Sequence, residues 1–179
     1  MWEKELDIAK KAAVEAGREI LRIYNEHTDL QVEYKEGNSP LTIADKASNA
    51  IIVEALRREF PDYAILSEEE KDNRKRLNND LCFVVDPLDG TKEFLKRNGQ
   101  FTVNIALAYR HESVMGVIYV PVTGDLYYAS RNDGAYLEDS AGQVTRLHVS
   151  DCTEIPDFRV VMSSSHGCKE MEELIEKYQ

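Results

Sequence analysis

The residue pattern predicts an α+β protein in which two N-terminal helices pack on a predominantly antiparallel sheet. Three observations carry this reading. A helical apolar period opens the chain, a second one is closed by proline, and a series of short strands punctuated by Asn, Asp and Gly turns follows. Composition agrees with a globular domain. The chain has 179 residues, 42% of them hydrophobic and 31% charged, with a formal net charge of −11. Disordered, collagen-like and disulfide-scaffold chains fit these values poorly.

Leu6, Ala9, Ala13, Ala16, Ile20 and Ile23 recur at spacings of three and four, with Lys10, Glu15, Arg18, Glu19 and Arg22 between them. That spacing predicts an amphipathic helix from Glu3 to Tyr24. Leu30–Tyr34 alternates and predicts a strand running into a turn at Gly37-Asn-Ser-Pro40. Thr42 with Asp45 three residues on has the form of a capping box. Ile51, Ile52, Ala55, Leu56 and Phe60 then supply the stripe of a second helix, ended by Pro61.

The period changes after this helix. Tyr63–Leu66 and Leu81–Val85 are short apolar runs, each ending in acid: Glu68 to Glu70 after the first and Asp86 after the second. They read as buried strands that deliver carboxylates at their ends, with Lys71–Asp80 as a polar surface loop between them. Strand candidates recur at Val103–Ala108, Val114–Val120, Leu126–Ala129, Ala135–Leu137 and Val144–Val149. Turn signals at Thr123-Gly124-Asp125 and Asn132-Asp133-Gly134 predict antiparallel hairpins among them. Phe158–Met162 predicts one more strand, and Met171, Leu174, Ile175 and Tyr178 a final helix that reaches Gln179 without a cap or stop signal. Such an ending is expected of a fold that continues.

Several function classes are disfavoured at once. No apolar stretch approaches the ~20 residues of a membrane helix, and Met1–Leu6 opens with charge where a signal peptide carries an apolar core. The expectation is a soluble, cytoplasmic protein without an integral membrane segment, with peripheral membrane association left open. Cys82, Cys152 and Cys168 form no C-x-x-C pair, and their odd number favours reduced thiols. His27, His111, His148 and His166 are scattered, none of them paired with a cysteine at metal spacing. The acidic chain repels nucleic acid, so an anionic ligand would need an imported cation.

The segment Asp86-Pro-Leu-Asp-Gly-Thr91 concentrates the remaining chemistry. Two aspartates at the end of an apolar strand offer hard oxygen ligands suited to Mg²⁺. Gly90 permits close backbone approach, and the amides of Gly90 and Thr91 could accept a phosphate oxygen at a helix start. An ordinary Asp/Gly turn with Thr91 as a cap accounts for the same residues. Glu68 adds a third carboxylate, and each close like-charge pair costs about 1 kcal/mol unless a cation lies between. Glu69 and Glu70 read as a solvated acidic loop, Asp45 as the carboxylate of the capping box, and Ser163-Ser-Ser-His166 as a polar loop.

Taken together, Ser39-Pro-Leu-Thr-Ile-Ala-Asp45, Leu66-Ser-Glu-Glu69, Val85-Asp-Pro-Leu-Asp-Gly-Thr-Lys-Glu-Phe94 and the following Lys96–Leu107 resemble the lithium-sensitive, magnesium-dependent phosphatases of the inositol monophosphatase superfamily. Lys92-Glu-Phe94 is similar to the 3′(2′),5′-bisphosphate nucleotidase branch. The resemblance implies a layered sheet-and-helix sandwich of the inositol monophosphatase and fructose-1,6-bisphosphatase type. It also implies hydrolysis of the 3′-phosphate of 3′-phosphoadenosine 5′-phosphate, or of its 5′-phosphosulfate, in sulfur assimilation. An inositol or sugar-phosphate phosphatase is the near alternative, and a non-catalytic metal- or phosphate-binding remnant the distant one.

By the same resemblance, Glu68, Asp86 and the carbonyl of Leu88 match ligands of a first Mg²⁺, and Asp86 with Asp89 two ligands of a second. Asp45 and Thr91 match the pair that helps deprotonate the attacking water, which shifts the weight on Asp45 from capping toward catalysis; Glu68 belongs with them as a catalytic position. Glu68, Leu88, Asp89, Gly90 and Thr91 match substrate-contacting positions, and Ser163 with His166 match positions that touch the nucleotide. Complete members bind two or more ions, are monomers or homodimers, and carry a further W-D-x-A-A-G segment; here the sole tryptophan is Trp2. The expectation is therefore an N-terminal, metal-binding portion of a phosphatase domain over residues 1–179, with a second metal site short of a ligand, weak Mg²⁺ affinity and little turnover. Apolar surface is expected to lie uncovered along the strands around Val103–Ala108.

Overall fold

The computed structural model describes residues 2–26, 32–34, 40–159, 161 and 169–178. They fall in two compact units, residues 1–147 and 148–179. The first unit opens with α1 (Glu3–Glu26), passes through β1 (Glu33–Tyr34) and β2 (Pro40–Leu41), and continues into α2 (Ile43–Glu59). β3 (Ala64–Ser67), β4 (Leu81–Asp89), the short α3 (Thr91–Leu95), β5 (Thr102–Tyr109), β6 (Glu112–Val120), β7 (Asp125–Ser130), β8 (Gly134–Glu138) and β9 (Val144–Leu147) complete it. β1 and β2 form a small antiparallel ladder of their own, so Pro40 belongs to a strand and not to the expected turn. Residues 30–31 and 37–39 of the expected strand and turn lie outside the described residues.

The seven strands β3 to β9 form one sheet in chain order. Only β3 and β4 run parallel, across a loop that holds a 3₁₀ turn at Lys75–Asn78; every later neighbour is antiparallel. The mixed sheet with helices matches the α+β expectation. Alternation decides which side of it faces the helices. Phe83 and Val85 on β4, and Val103, Ile105 and Leu107 on β5, are buried with α1 and α2 in one core cluster. Their alternates point away: Val84, Asn104, Ala106, Ile118 and Tyr127 line an open groove of about 470 Å³ on the opposite face, where Val84 is 42% and Ile118 47% exposed. The uncovered apolar surface is thus present, but it runs through Ala106 and its neighbours, while Val103, Ile105 and Leu107 belong to the core.

α1 approaches the sheet through small residues, with Ala9, Ala12, Ala13, Ala16 and Gly17 all buried. A Cβ at Gly17 would lie 2.4 Å from the ring of Tyr119, so the helix could not sit as close with any other residue there. No helix among the described residues is long and apolar enough to cross a membrane.

In the second unit, a 3₁₀ turn at Ile155–Asp157 precedes α4 (Lys169–Tyr178), the expected final helix. The expected strand Phe158–Met162 is not formed at Phe158, Arg159 or Val161, its described residues. Phe158 is 52% and Val161 94% exposed, and an extended segment without a ladder partner is not stable by itself.

The tight α1–β6 contact generates a test with two opposing terms. Replacing a mid-helix glycine by alanine gains up to about 1 kcal/mol of helix propensity, whereas overpacking a filled core loses about 1–3 kcal/mol. With the ring of Tyr119 in direct conflict, Gly17→Ala is expected to lower the urea unfolding midpoint. An unchanged or raised midpoint would show that the ring yields freely.

Candidate active site

A bulge in β4 builds the site. Asp86 pairs with Asn104 and Asp89 with Thr102, so three steps along β4 match two along β5. Residues three apart on a regular strand point to opposite faces. The extra residue restores Asp89 to the face of Asp86, turning both carboxylates to one side. The sequence suggested a proline turn here; the structure shows a strand that continues to Asp89, with Pro87 at the bulge, where a missing N–H is tolerated. β3 brings the third acid: Glu68 follows its last residue, and the Glu68 amide donates to the Val85 carbonyl at 3.0 Å, beside Asp86. Gly90 then turns the chain with φ +92°, and a Cβ there would lie 2.7 Å from the Gln100 carbonyl oxygen. Phe94, fully buried against Tyr24 and Phe101, anchors α3 immediately after.

α2 grips this segment through one polar edge. Both partners of the capping box are made: the Ala44 amide donates to Thr42 Oγ1 at 3.1 Å, and the Thr42 amide donates to Asp45 Oδ2 at 2.7 Å. The Thr42 hydroxyl donates to the same Oδ2 at 2.6 Å, while Asp45 Oδ1 accepts from the Thr91 hydroxyl at 3.0 Å. Asp45 therefore serves as cap and as site residue with different oxygens. It is 1% exposed, and burial pushes its carboxyl above the usual carboxylate range although hydrogen bonds from Thr42, Thr91 and its own backbone oppose the shift. One turn on, the buried Ser48 hydroxyl donates to the Pro87 carbonyl at 2.7 Å, and Asn49 Oδ1 accepts from the Ser67 hydroxyl at 2.6 Å.

The structure thus gathers Asp45, Glu68, Asp86, Leu88, Asp89, Gly90 and Thr91. Ser163 and His166 lie outside the described residues. Glu69 and Glu70 are half-buried, not freely solvated, and Glu70 pairs with Arg57 at 2.7 Å. Sequence reasoning missed Ser48, Asn49 and Asn104. The available signal was the spacing Thr42, Asp45, Ser48 and Asn49, a polar line along one side of a helix with an apolar stripe.

Electrostatics sets what this arrangement can hold. Partial burial, and then the charges of Glu68 and Asp89, push Asp86 up to about 7, and Asp86 shares a hydrogen bond with Glu68. Among the described residues no three His, Cys, Asp or Glu side chains close into a preformed metal cage, and Glu68 and Asp89 are exposed. The donor set is nevertheless that of a hard divalent cation: three carboxylates whose repulsion is relieved by a proton on Asp86, with the Leu88 carbonyl alongside. That carbonyl accepts from the Thr91 hydroxyl at 3.2 Å.

These features define a class of protein, a layered α+β fold whose sheet ends in clustered carboxylates beside a Thr–Asp pair. The profile of the inositol monophosphatase family matches residues 1–179, and the chain belongs to that family. It is 39% identical over 178 residues to the 3′(2′),5′-bisphosphate nucleotidase CysQ of Buchnera aphidicola, covering 99% of this chain and 66% of that protein. The crystal structure of CysQ from Bacteroides thetaiotaomicron is 40% identical with a TM-score of 0.81, over 97% of this chain and 68% of that one. The Nus factor SuhB of Pasteurella multocida is 38% identical over 134 residues, covering 75% of this chain and 50% of that protein. The chain spans about two thirds of the length of the CysQ relatives and half that of SuhB.

The acid cluster gives the metal-free protein a defined pH response. Folded, Asp86 keeps its proton up to about pH 7; unfolded, it releases it near its ordinary value of 3.8. The folded state binds more protons across that interval, so stability falls as pH rises through it. In chelator, the melting temperature is expected to fall between about pH 4 and about pH 7, and Asp86→Asn to flatten the fall. Identical pH profiles for the two proteins would contradict the proposed strain among the acids.

Proposed function

We propose that this chain carries the metal- and phosphate-holding part of a Mg²⁺-dependent phosphomonoesterase that removes the 3′-phosphate of 3′-phosphoadenosine 5′-phosphate or of its 5′-phosphosulfate. The observation that carries the reading is the Asp45–Thr91 hydrogen bond, 3.0 Å long, set against the bulged acid segment. Glu68, Asp86 and the Leu88 carbonyl would hold one Mg²⁺, and Asp86 with Asp89 would contribute to a second. When bound, the ions neutralise phosphoryl charge and lower the pKa of the attacking water.

The chain's own residues do the rest. Thr91 is half-buried while Asp45 is sealed, so Asp45 reaches solvent through the Thr91 hydroxyl. That hydroxyl can accept a proton from water while passing its own to Asp45 Oδ1, and the raised Asp45 pKa favours the transfer. The backbone of Asp89, Gly90 and Thr91 would hold a phosphate oxygen, in a turn that Gly90 makes possible because its φ is +92° and a Cβ there would meet the Gln100 carbonyl. The net charge of −11 repels an anionic substrate in general, which makes the bound cations the point of attraction. Identity near 40% to two proteins named CysQ, together with Lys92-Glu-Phe94, favours the nucleotide over an inositol phosphate.

Phosphate release should require Mg²⁺ and be faster from 3′-phosphoadenosine 5′-phosphate than from inositol 1-phosphate. Thr91→Ala should lower kcat by about 10²-fold or more with little change in KM, the range for loss of a positioned proton acceptor. Preference for inositol 1-phosphate would transfer the assignment to the sugar-phosphate branch. Mg²⁺-dependent nucleotide binding without release would favour the non-catalytic remnant.

A further inference from the structure

We propose that Asn104 is a positioning residue for the cation site, holding Asp89 in the orientation in which its carboxylate serves a divalent metal. The inference rests on the metal-site reading above and extends it to a side chain outside the acidic motif.

The register places Asn104 directly across from Asp86, and directly opposed residues on antiparallel strands share a face. Because the bulge swings Asp89 back to that face, the Asn104 side chain lies within reach of it. Its Nδ2 donates to Asp89 Oδ2 at 3.1 Å. Thr102, two residues earlier on the same face, donates its hydroxyl to Asn104 Oδ1 at 3.0 Å. A hydroxyl donor on the carbonyl end of the amide fixes which end faces Asp89: only the NH₂ end can meet a carboxylate favourably. The result is a directed chain, Thr102 to Asn104 to Asp89.

The chain has a consequence specific to metal binding. Asp89 is exposed, and without a partner its carboxylate samples several rotamers; with Oδ2 engaged by a neutral donor, Oδ1 is left to a cation. Asparagine suits the position better than lysine or arginine, because a neutral donor steers a carboxylate without cancelling the charge that attracts the metal. Asn104 is only half-buried, so its removal leaves no large cavity.

The test uses the full chain and Mn²⁺ alone as the probe, followed by electron paramagnetic resonance of the free ion, with no turnover needed. Asn104→Ala should weaken the second, Asp89-dependent step of Mn²⁺ binding about tenfold, the lower end for loss of an outer-shell partner, while the chelator-treated protein melts as before. Thr102→Val keeps the β-branched shape, removes the hydroxyl and should give a smaller loss in the same direction. Asp86→Asn serves as the reference that should abolish binding. If Asp86→Asn abolishes it and both other variants bind Mn²⁺ like the parent, the positioning role of Asn104 is overturned and the metal site stands. If Asp86→Asn binds Mn²⁺ unchanged, the metal-site reading fails and the role of Asn104 fails with it.

Discussion

One added residue in β4 governs the geometry of the whole acidic site. A regular strand would send Asp86 and Asp89 to opposite faces, one toward solvent and one into a core made of Phe83, Val85, Ile105 and Leu107. Burying an unpaired carboxylate there would be costly enough to unfold a domain of ordinary stability. The bulge removes that conflict and concentrates charge instead, which raises the Asp86 pKa and leaves the cluster in want of a counter-ion. Stability and chemistry are in tension at this one irregularity, as expected where a site is built from like charges.

A bulge this distorted needs support, and α2 supplies it. Asp45 takes Thr91, Ser48 takes the Pro87 carbonyl, and Asn49 takes Ser67 next to Glu68. Three contacts from one side of one helix thus reach both acid-bearing strand ends. The helix is fixed in turn by its capping box and by Ile52 and Leu56, both fully buried. Polar and apolar edges of α2 divide the labour: the stripe binds it to the core, and the polar line transmits that position to the site.

Much of this was legible in the residues, and the exceptions have physical causes. Both long helices and the strand series follow from periodicity, because a helix must show a stripe and a half-buried strand must alternate. Asp86, Asp89 and Glu68 were visible as acids at the ends of apolar runs. The bulge was not, since Asp86-Pro-Leu-Asp89 has the composition of a turn, and only pairing with Asn104 and Thr102 shows that it stays in the sheet. Ser48 and Asn49 were hidden for a related reason: small polar residues in a helix look like surface until the partner, here a backbone carbonyl and a serine from distant segments, is known. Phe158, Arg159 and Val161 form no strand because β-branched and aromatic residues favour one only where another strand is present to pair with it.

The order of the strands carries a meaning for synthesis. Each strand from β4 onward hydrogen-bonds to the one just before it in the chain, so the sheet can lengthen hairpin by hairpin as the polypeptide leaves the ribosome. Asp86, Asp89 and their asparagine neighbour belong to the first of those hairpins, and the grip of α2 is already translated by then. The acidic site can therefore take shape before the last strands of its own sheet exist.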